Sequence, residues 1–463
     1  MLDRSASEIV LALRRREVSA LELVDGYLGR IDATNERLRA FIRVDGDAAR
    51  AAATQADRRR SREGDPPALL GLPLAVKDNL AVAGAPTTGG TKVLSGYVPR
   101  RDAAVVASLR EAGAVVLGKT NLHEAAFGIT SKNPHYGDVR NPHDEARIAG
   151  GSSGGTAVAV AAGLSPVGLG TDTGGSVRVP AALCGLVGLR PPTSMVSRDG
   201  LMSLSWTCDS IGPITRTVAD ARLLLEVMSG KGLGGGKAGS HDLKGVRLGI
   251  LGGTFAEADD QTERAVGNFY KRLADAGATI EAADVEGAED AMSHLFDIVL
   301  PESWVQMDEL VREALPGQDL KSRMDDFGAD VRAALSGEAG LEGERVSAQS
   351  YLETLRVARP ALQAASVAAF ERFDALLCPA TPTPAVRLEE EPEMTFAGRR
   401  VPTFQTFIGN SCFASFADLP AISLPIGSGS HGLPIGVQLI GAEASTDRLL
   451  DLASSCEDLV ATV

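Results

Sequence analysis

A stretch rich in glycine and serine between residues 148 and 180 carries the residues best suited to chemistry. It reads IAGGSSGGTAVAVAAGLSPVGLGTDTGGSVRVP, with the pair Ser152-Ser153 and a further serine, Ser176, directly after Gly174-Gly175. Each glycine costs conformational entropy when the chain orders, so packing alone does not call for so many. They suit a site where backbone N–H groups approach a bound group closely. The serine hydroxyls beside them point to nucleophilic catalysis.

Spacing disfavours two nucleotide-binding interpretations of these glycines. A P-loop requires a lysine followed by Ser or Thr after the last glycine, and no lysine follows a glycine pair here. A dinucleotide-binding loop requires G-x-G-x-x-G, whereas the segment from Gly168 to Gly174 has one residue too many.

A third interpretation is the nucleophile elbow of α/β-hydrolases. Residues 151–155 match G-x-S-x-G and would make Ser153 the nucleophile. That motif needs a strand directly before it, but residues 141–147 (NPHDEAR) are polar and typical of a turn. It also needs a partner histidine downstream, and the candidates stand in sequence contexts typical of a surface: His241, His294 and His431. This alternative stays open, as a match to a short motif.

The chain resembles the amidase signature family at several separated motifs. These are GGSSGG at 150–155, GTDTGGSVRVPA at 170–181, a lysine within AVKDN at 75–79, and GLPIGVQLI at 432–440. The resemblance implies that Ser176 is the nucleophile, that Ser152 is a bridging serine with a cis peptide bond, and that Lys77 is the base. It also implies hydrolysis of an amide to a carboxylic acid and ammonia or an amine, without metal or cofactor.

The implied role of Lys77 is chemically consistent with its place at the end of a predicted buried strand. Desolvation lowers the pKa of a buried lysine, so that its amine can accept a proton. The local sequence alone favours an ordinary surface lysine closing that strand, and only the resemblance reverses this interpretation. Because a hydroxyl both donates and accepts, Ser152 could pass a proton from Ser176 to Lys77 and back to the leaving nitrogen.

The turn before Ser176 is predicted to form an oxyanion hole. We expect a helix over Ser176–Leu183, whose positive end would act together with consecutive N–H groups of the turn. The predicted donors are the backbone N–H groups of Thr173, Gly174, Gly175 and Ser176.

Three side chains around this turn are predicted to support it. Asp172 and Arg178 have opposite charges and flank the turn, which indicates a structural ion pair. Ser153 is predicted to support the site by hydrogen bonding, and Cys184 to be a small buried side chain rather than a nucleophile.

The substrate pocket is predicted, by analogy with the family, at the segment HEAAFGITS that begins at His123. Its candidate lining residues are Ala126, Phe127, Gly128 and Ile129. This segment resembles indoleacetamide and mandelamide hydrolases, whereas NPHD at 141–144, RIA at 147–149 and the region 412–426 resemble carboxybiuret hydrolases. The acyl group of the substrate is left open by these two resemblances.

Two further function classes remain as alternatives. Within the family, the rival is the glutamine-hydrolysing subunit of a tRNA-dependent amidotransferase. That branch usually has Arg-Gln-Pro where this chain has Arg178-Val179-Pro180, and Met-Asp-Glu-Phe where it has Leu122-His-Glu-Ala. The other alternative is a non-catalytic binding protein, which the joint presence of Lys77, Ser152 and Ser176 disfavours.

Composition narrows the partners and the compartment. The net charge is −14 and no Lys/Arg cluster is interleaved with aromatics, which argues against nucleic acid. Five dispersed cysteines without a Cys-x-x-Cys motif, and an N-terminus without an apolar signal region, predict a cytoplasmic protein with reduced thiols. No apolar run is long enough to predict a membrane span. The expected partner is a small amide; homodimers are common in such families, and the sequence does not decide the oligomeric state.

The order of elements predicts one large α/β domain. Helical spacing over residues 5–60, strands near 72–77 and 114–118 and a helix between them indicate a mixed, mostly parallel twisted sheet covered by helices on both faces. The expected sections are N-terminal helices (1–68), a catalytic core (69–229), a flexible connection (230–245) and the rest of the sheet (246–463). This last section includes a variable helical part at about 287–375.

Overall fold

In the computed structural model, residues 1–62, 66–233, 243–252, 258–336 and 346–461 are described. Strands and helices alternate along this part of the chain. The strands are β1 (Phe41–Val44), β2 (Pro73–Lys77), β3 (Val115–Thr120), β4 (Arg140–Asn141), β5 (Asp144–Ile148), β6 (Gly168–Asp172), β7 (Val187–Arg190), β8 (Ser210–Thr215), β9 (Arg247–Leu251), β10 (Thr279–Ala283), β11 (Ala375–Pro379), β12 (Glu393–Phe396), β13 (Arg399–Pro402), β14 (Ala421–Ser428) and β15 (Pro434–Ile440).

The helices flank these strands and differ widely in length. They are α1 (Ala6–Arg14), α2 (Ala20–Leu38), α3 (Gly46–Arg62), α4 (Ala104–Glu111), α5 (Gly154–Ala161), α6 (Arg178–Leu183), α7 (Val218–Ser229), α8 (Asp260–Asp275), α9 (Ala291–Ala314), α10 (Ala329–Ser336), α11 (Ala348–Glu353), α12 (Arg359–Arg372), α13 (Thr403–Ala417) and α14 (Thr446–Ala461). A π-helical segment, Thr354–Ala358, joins α11 to α12.

Eleven strands form one mixed sheet in the order β1-β3-β2-β6-β8-β7-β14-β15-β11-β9-β10. Parallel ladders join β2 to both β3 and β6, and β9 to both β10 and β11. The remaining ladders of this sheet are antiparallel. The prediction of a single large α/β unit with a mixed sheet is confirmed.

Helices cover both faces of the sheet. Strand β11 shows this, because its alternate residues pack in two different apolar clusters. On β11, Leu377 packs in a cluster that includes α1, α2, α7 and α14. Its neighbours Leu376 and Cys378 pack in a second cluster with α9, α12 and α13. Side chains alternate along a strand, so the two clusters lie on opposite faces.

The local predictions hold best where the sequence pattern is strong. The buried run that ends at Lys77 is β2, and the capping box Ser19–Glu22 begins α2. Residues 5–60 contain the expected helices and also one short strand, β1, which pairs with β3 at the edge of the sheet. Four residues are too few for a periodic pattern, and the partner strand is distant in sequence.

Two local predictions are wrong. Residues 141–147 are not a simple turn, because β4 and β5 form a hairpin there. The predicted helix over Ser176–Leu183 begins two residues later, at Arg178, because Ser176 and Val177 form a turn. With six residues, α6 contributes little dipole at Ser176, so the expected help from a positive helix end is withdrawn.

Most of the predicted connection at 230–245 lies outside the described residues. All five cysteines are buried and free. Along the described ranges, no helix is both long and apolar enough to cross a bilayer.

Candidate active site

The candidate site lies at the carboxyl ends of the two neighbouring strands β2 and β6, inside the central sheet. These strands are parallel neighbours, pairing Ala75 with Gly168 and Val76 with Leu169. Parallel neighbours bring their carboxyl ends to the same edge. The last residue of β2 is Lys77, and the segment after β6 leads directly to Ser176.

Lys77 is fully buried and bonded to two hydroxyl groups. Its Nζ lies 2.7 Å from Ser152 Oγ and 2.8 Å from Thr171 Oγ1. Burial lowers the pKa of Lys77 to about 7, against the opposing attraction of the Asp172 and Asp209 carboxylates. An amine with this pKa is neutral in a large fraction of molecules at neutral pH, so it can accept a proton.

Ser152 lies between β5 and α5, and its peptide bond with Gly151 is cis. Its side chain is fully buried. Its carbonyl oxygen accepts hydrogen bonds from the backbone N–H of His123, at 3.1 Å, and from Ser131 Oγ, at 3.3 Å. The segment 123–131, which contains the predicted pocket, therefore packs directly on Ser152.

Ser176 is 8% exposed, which leaves its side chain at the boundary of the buried region. Its carbonyl oxygen accepts a hydrogen bond from the backbone N–H of Ser153, at 3.2 Å. Its hydroxyl makes no hydrogen bond to a residue within the described ranges. The structure thus bonds Lys77 to Ser152 and places the Ser176 backbone beside the next residue, but the hydroxyls of Ser152 and Ser176 are not hydrogen-bonded to each other.

The backbone N–H groups of the turn before Ser176 differ in whether they are free to donate a hydrogen bond to a bound group. The N–H of Gly175 donates to Asp172 Oδ1 at 2.9 Å. The N–H groups of Gly174 and Ser176 make no hydrogen bond to any other described residue. Gly175 has φ 127°, a conformation that favours glycine, and a Cβ there would lie 2.7 Å from Ser411 Oγ.

Asp172 binds the turn and two buried guanidinium groups. It contacts Arg178 Nη2 at 2.8 Å, and Arg190 Nη1 lies 3.6 Å away. Its Oδ2 also accepts from the N–H of Val177. Burial by itself would raise the pKa of Asp172, but the charges of Arg178 and Arg190 hold it well below its usual range. The predicted Asp172–Arg178 pair is present, and Arg190 extends it.

Replacing Asp172 by asparagine is expected to destabilise the fold by about 3–5 kcal/mol at pH 7, because Arg178 would remain buried without a counter-charge and Arg190 would keep only Asp418, 3.5 Å away. The carboxyl pKa is lower in the folded than in the unfolded chain, so its contribution is complete above about pH 4 and is lost as the pH falls further. Urea unfolding measures this. Asp144→Asn, which breaks a partly exposed pair with Arg147, is the control and should cost under about 1 kcal/mol. An equal loss in both variants would contradict this expectation.

Ser153 is buried and bonded on both sides to the backbone of Thr171. Its Oγ accepts from the Thr171 N–H and donates to the Thr171 carbonyl oxygen, each at 3.2 Å. The preceding strand, β5, belongs to a two-stranded ladder and not to the central sheet. Histidines within the described ranges make no hydrogen bond to Ser153; His241 lies outside them. These contacts are those of a side chain that supports the site by hydrogen bonding, as predicted for Ser153. They differ from those of an exposed serine at a nucleophile elbow.

Of the four predicted pocket residues, Ile129 lies directly against Gly151. Ala126 and Ile129 are buried, and Phe127 is half-buried between two apolar clusters. A Cβ on Gly128 would overlap the ring of His123, which is itself buried and bonded to Asp330 Oδ2 at 2.8 Å. His123 thus packs against Gly128 and connects this loop to α10 through Asp330. It is a buried structural residue and not a surface residue.

Four further residues at this site were not predicted from the sequence. Thr171 contacts Lys77 directly, and Asp209 accepts a hydrogen bond from Thr173 Oγ1 at 2.6 Å. Two side chains from distant helices reach the turn: Leu295 of α9 faces Gly174, and Ser411 of α13 faces Gly175. Of these four, only Thr171 could have been predicted from the sequence, since it lies inside the motif at 170–181.

Among the described residues, no three His, Cys, Asp or Glu side chains converge in an arrangement that could hold a metal ion. Burial raises the pKa of the Cys184 thiol far above its usual value, so this cysteine stays protonated, as expected of a buried small side chain.

The motifs and the sheet edge that carries them define an amidase-signature enzyme. The family model described as Amidase matches residues 22–450, so the chain belongs to this family.

Several relatives with established names are similar over almost the full chain. The A subunit of glutamyl-tRNA(Gln) amidotransferase from Carboxydothermus hydrogenoformans is 35% identical, over 98% of this chain and 96% of its own. A solved structure described as a vestigial complex that reveals the origins of an s-triazine catabolic enzyme has a TM-score of 0.87 and 32% identity, with 98% of each chain covered. Peptide amidase from Stenotrophomonas maltophilia has a TM-score of 0.83 and 29% identity, covering 99% of this chain and 97% of its own.

Proposed function

We propose that this protein hydrolyses a small, uncharged amide to a carboxylic acid and ammonia or an amine, through an acyl-enzyme on Ser176. The observation that carries the proposal is the buried amine of Lys77, 2.7 Å from Ser152 Oγ at the same sheet edge as Ser176. A serine attacks an amide carbonyl only if its proton is removed as the new bond forms. Lys77 is a base available for that step.

In the first half-reaction, Ser176 Oγ bonds to the carbonyl carbon of the amide. Its proton moves to Ser152 Oγ while the Ser152 proton moves to Lys77 Nζ, so Ser152 ends unchanged. The carbonyl oxygen gains the negative charge and is stabilised by the free N–H groups of Gly174 and Ser176. When the C–N bond breaks, the proton on Lys77 returns through Ser152 to the leaving nitrogen.

In the second half-reaction, water takes the place of the amine. It loses a proton through Ser152 to Lys77 and attacks the acyl carbon, and the proton then returns to Ser176 as the acid leaves. The proposal requires the Ser176 hydroxyl to turn towards Ser152 when substrate binds. Catalytic hydrogen bonds are often long or absent in the free enzyme.

The surroundings of Ser176 favour an uncharged substrate. Leu295 and the helix α13 face the turn and bring no charge to it, since α13 contains no charged residue over Thr403–Ala417. The charged neighbours of the turn are already bonded, Asp172 to Arg178 and Asp209 to Thr173. The predicted pocket residues 126–129 (AFGI) are also uncharged. A free amino acid such as glutamine would bring an ammonium and a carboxylate, which need charged or strongly polar partners when they are desolvated.

Glutamine hydrolysis within an amidotransferase is the second candidate function. It is favoured by the 35% identity to the amidotransferase A subunit from C. hydrogenoformans over nearly the whole chain. Against it stand the sequence departures at Arg178-Val179-Pro180 and at Leu122–Ala125, together with the uncharged helix α13 that faces the turn before Ser176. Structural similarity to the vestigial complex that reveals the origins of an s-triazine catabolic enzyme, and to a peptide amidase, is compatible with the first candidate.

Ammonia release by the chain purified alone distinguishes the two functions. The panel contains benzamide, phenylacetamide, an alkyl amide, a carboxyurea-type amide and glutamine, with Ser176→Ala as the blank. We expect turnover of at least one uncharged amide and at most slow turnover of glutamine. Hydrolysis of glutamine alone, and only in the presence of amidotransferase partner subunits, would establish the second function and refute the first.

A further inference from the structure

The loop formed by residues 203–209 connects the turn before Ser176 to helix α9. At one end of it, Asp209 Oδ1 accepts a hydrogen bond from the hydroxyl of Thr173, the first residue of that turn, at 2.6 Å. The other oxygen, Oδ2, accepts from Ser203 Oγ at 2.7 Å and from the N–H groups of Leu204 and Ser205 at 2.8 and 3.1 Å. Asp209 therefore folds the loop around its own carboxylate and holds Thr173 with it.

Glu302 of α9 holds the middle of the same loop. Its Oε2 accepts from Ser205 Oγ at 2.5 Å and from the Thr207 N–H at 3.1 Å. Its Oε1 accepts from Thr207 Oγ1 at 2.5 Å and from the hydroxyl of Tyr351 at 3.0 Å. Four donors thus converge on one carboxylate, and three of them come from the loop.

Both carboxylates are buried without a cation. Glu302 is 0% exposed and Asp209 is 2% exposed, and within the described part of the chain neither forms an ion pair. Burying a carboxylate is costly unless strong hydrogen bonds replace its hydration. An ionised carboxylate can only accept hydrogen bonds, so each group that bonds to it must be a donor. This arrangement fixes the loop more firmly than a neutral side chain of the same size could.

We propose that Glu302 is a positioning residue for catalysis, acting through the 203–209 loop and Thr173 on the N–H groups of Gly174 and Ser176. The inference rests on the proposed function, since it assigns those N–H groups to the oxyanion. Glu302 itself does not touch the turn. Loss of its carboxylate releases Ser205 and Thr207, frees Asp209 to shift, and loosens Thr173.

The first test is the change Glu302→Gln, which keeps the size of the side chain but places an amide N–H₂ against donors. We expect kcat for the best amide to fall roughly 10- to 100-fold, because small misplacements of catalytic groups cost this much, while KM changes less than about threefold. Asp297→Asn is the matched control: it makes the same chemical change on α9, but its carboxylate bonds Thr354 and not the loop. It should leave kcat within about twofold.

The second test is a double-mutant cycle between Glu302→Gln and Thr173→Val. If both act through one chain of contacts, the double variant should lose no more kcat than the worse single variant. The pH dependence of kcat/KM distinguishes a change in the position of the turn from a change in the charge near Lys77. Asp209 raises the pKa of Lys77, so Asp209→Asn should move the acidic limb of kcat/KM to lower pH, whereas Glu302→Gln should leave it in place.

Unchanged kcat in Glu302→Gln, multiplicative losses in the cycle, or an equal loss in Asp297→Asn would each overturn the proposal. If Glu302→Gln does not fold, Thr173→Val by itself decides: a lower kcat at constant KM supports the chain of contacts, and full activity refutes it. Failure of the proposed function has a different signature, because the wild-type protein would then release no ammonia from any uncharged amide, whatever residue stands at position 302.

Discussion

Replacing Lys77 by methionine is expected to lower kcat by at least ~10³-fold while leaving the protein no less stable at neutral pH. Methionine has a similar length and fills the buried site without an amine, so proton transfer from Ser152 is lost. The wild-type amine opposes folding at any pH at which it is protonated in the unfolded chain. The reason is that burial lowers its pKa to about 7 in the folded chain, from 10.5 in the unfolded chain. Between these two pH values the folded state binds fewer protons than the unfolded state.

The sign of the pH effect follows from that difference. Wild-type stability should rise, relative to the variant, by about 1.4 kcal/mol per pH unit between pH 7 and 10, and the destabilising effect should be complete below pH 7. Urea unfolding of both proteins at pH 6, 7.5 and 9 measures this. Lys119→Met is the control: Lys119 is also buried but pairs with Asp78, so its loss should destabilise the protein without removing the chemistry. Parallel pH dependence of wild type and Lys77→Met would contradict a lowered pKa.

The second large effect is expected at Ser176, where the change to alanine should lower kcat roughly 10⁴- to 10⁶-fold, as loss of a serine nucleophile does elsewhere. Ser153→Ala serves as the matched variant, because it removes a neighbouring hydroxyl of the same size. Within the described ranges the Ser153 hydroxyl bonds only the backbone of Thr171, so its loss should cost about 1–3 kcal/mol of stability and only a modest part of kcat. The comparison is made by ammonia release and urea unfolding. Inactivity of Ser153→Ala together with activity of Ser176→Ala would instead assign the nucleophile to Ser153.

The sequence predicted the part of the site that depends on local patterns. The run 72–76 (LPLAV) is apolar and is bounded by Gly71 and by Asp78-Asn79, so a buried strand ending at Lys77 could be expected. The turn before Ser176 and the charges of Asp172 and Arg178 lie within one short segment, and this proximity made their pairing predictable. The roles assigned to these residues came from the family resemblance.

What the sequence could not predict depends on contacts between distant residues. Glu302 and Ser205 are 97 positions apart, and no local pattern connects them. Helix α13 was missed for a related reason: it is buried nearly all round, so it lacks the polar face that gives an amphipathic helix its period. Its side chain Ser411 reaches Gly175 only because the fold carries α13 to the end of β6.

The start of α6 illustrates a different limit. Ser176 looked like the first residue of a helix because it follows two glycines and precedes an apolar run. In the structure, the N–H of Val177 bonds the Asp172 carboxylate, and the helix begins at Arg178. A side chain that captures backbone N–H groups can move the end of a helix by a residue or two.

The central claim is that a neutral, buried Lys77 draws the proton from Ser176 through Ser152. The most direct measurement is the rate at which a fluorophosphonate labels the protein at a series of pH values, with the modified residue mapped by mass spectrometry of peptides. We expect one label, on Ser176, a rate that rises with pH through a single titration near pH 7, and almost no labelling in Lys77→Met. Labelling at another serine, or labelling of Ser176 at the same rate in Lys77→Met, would contradict the claim.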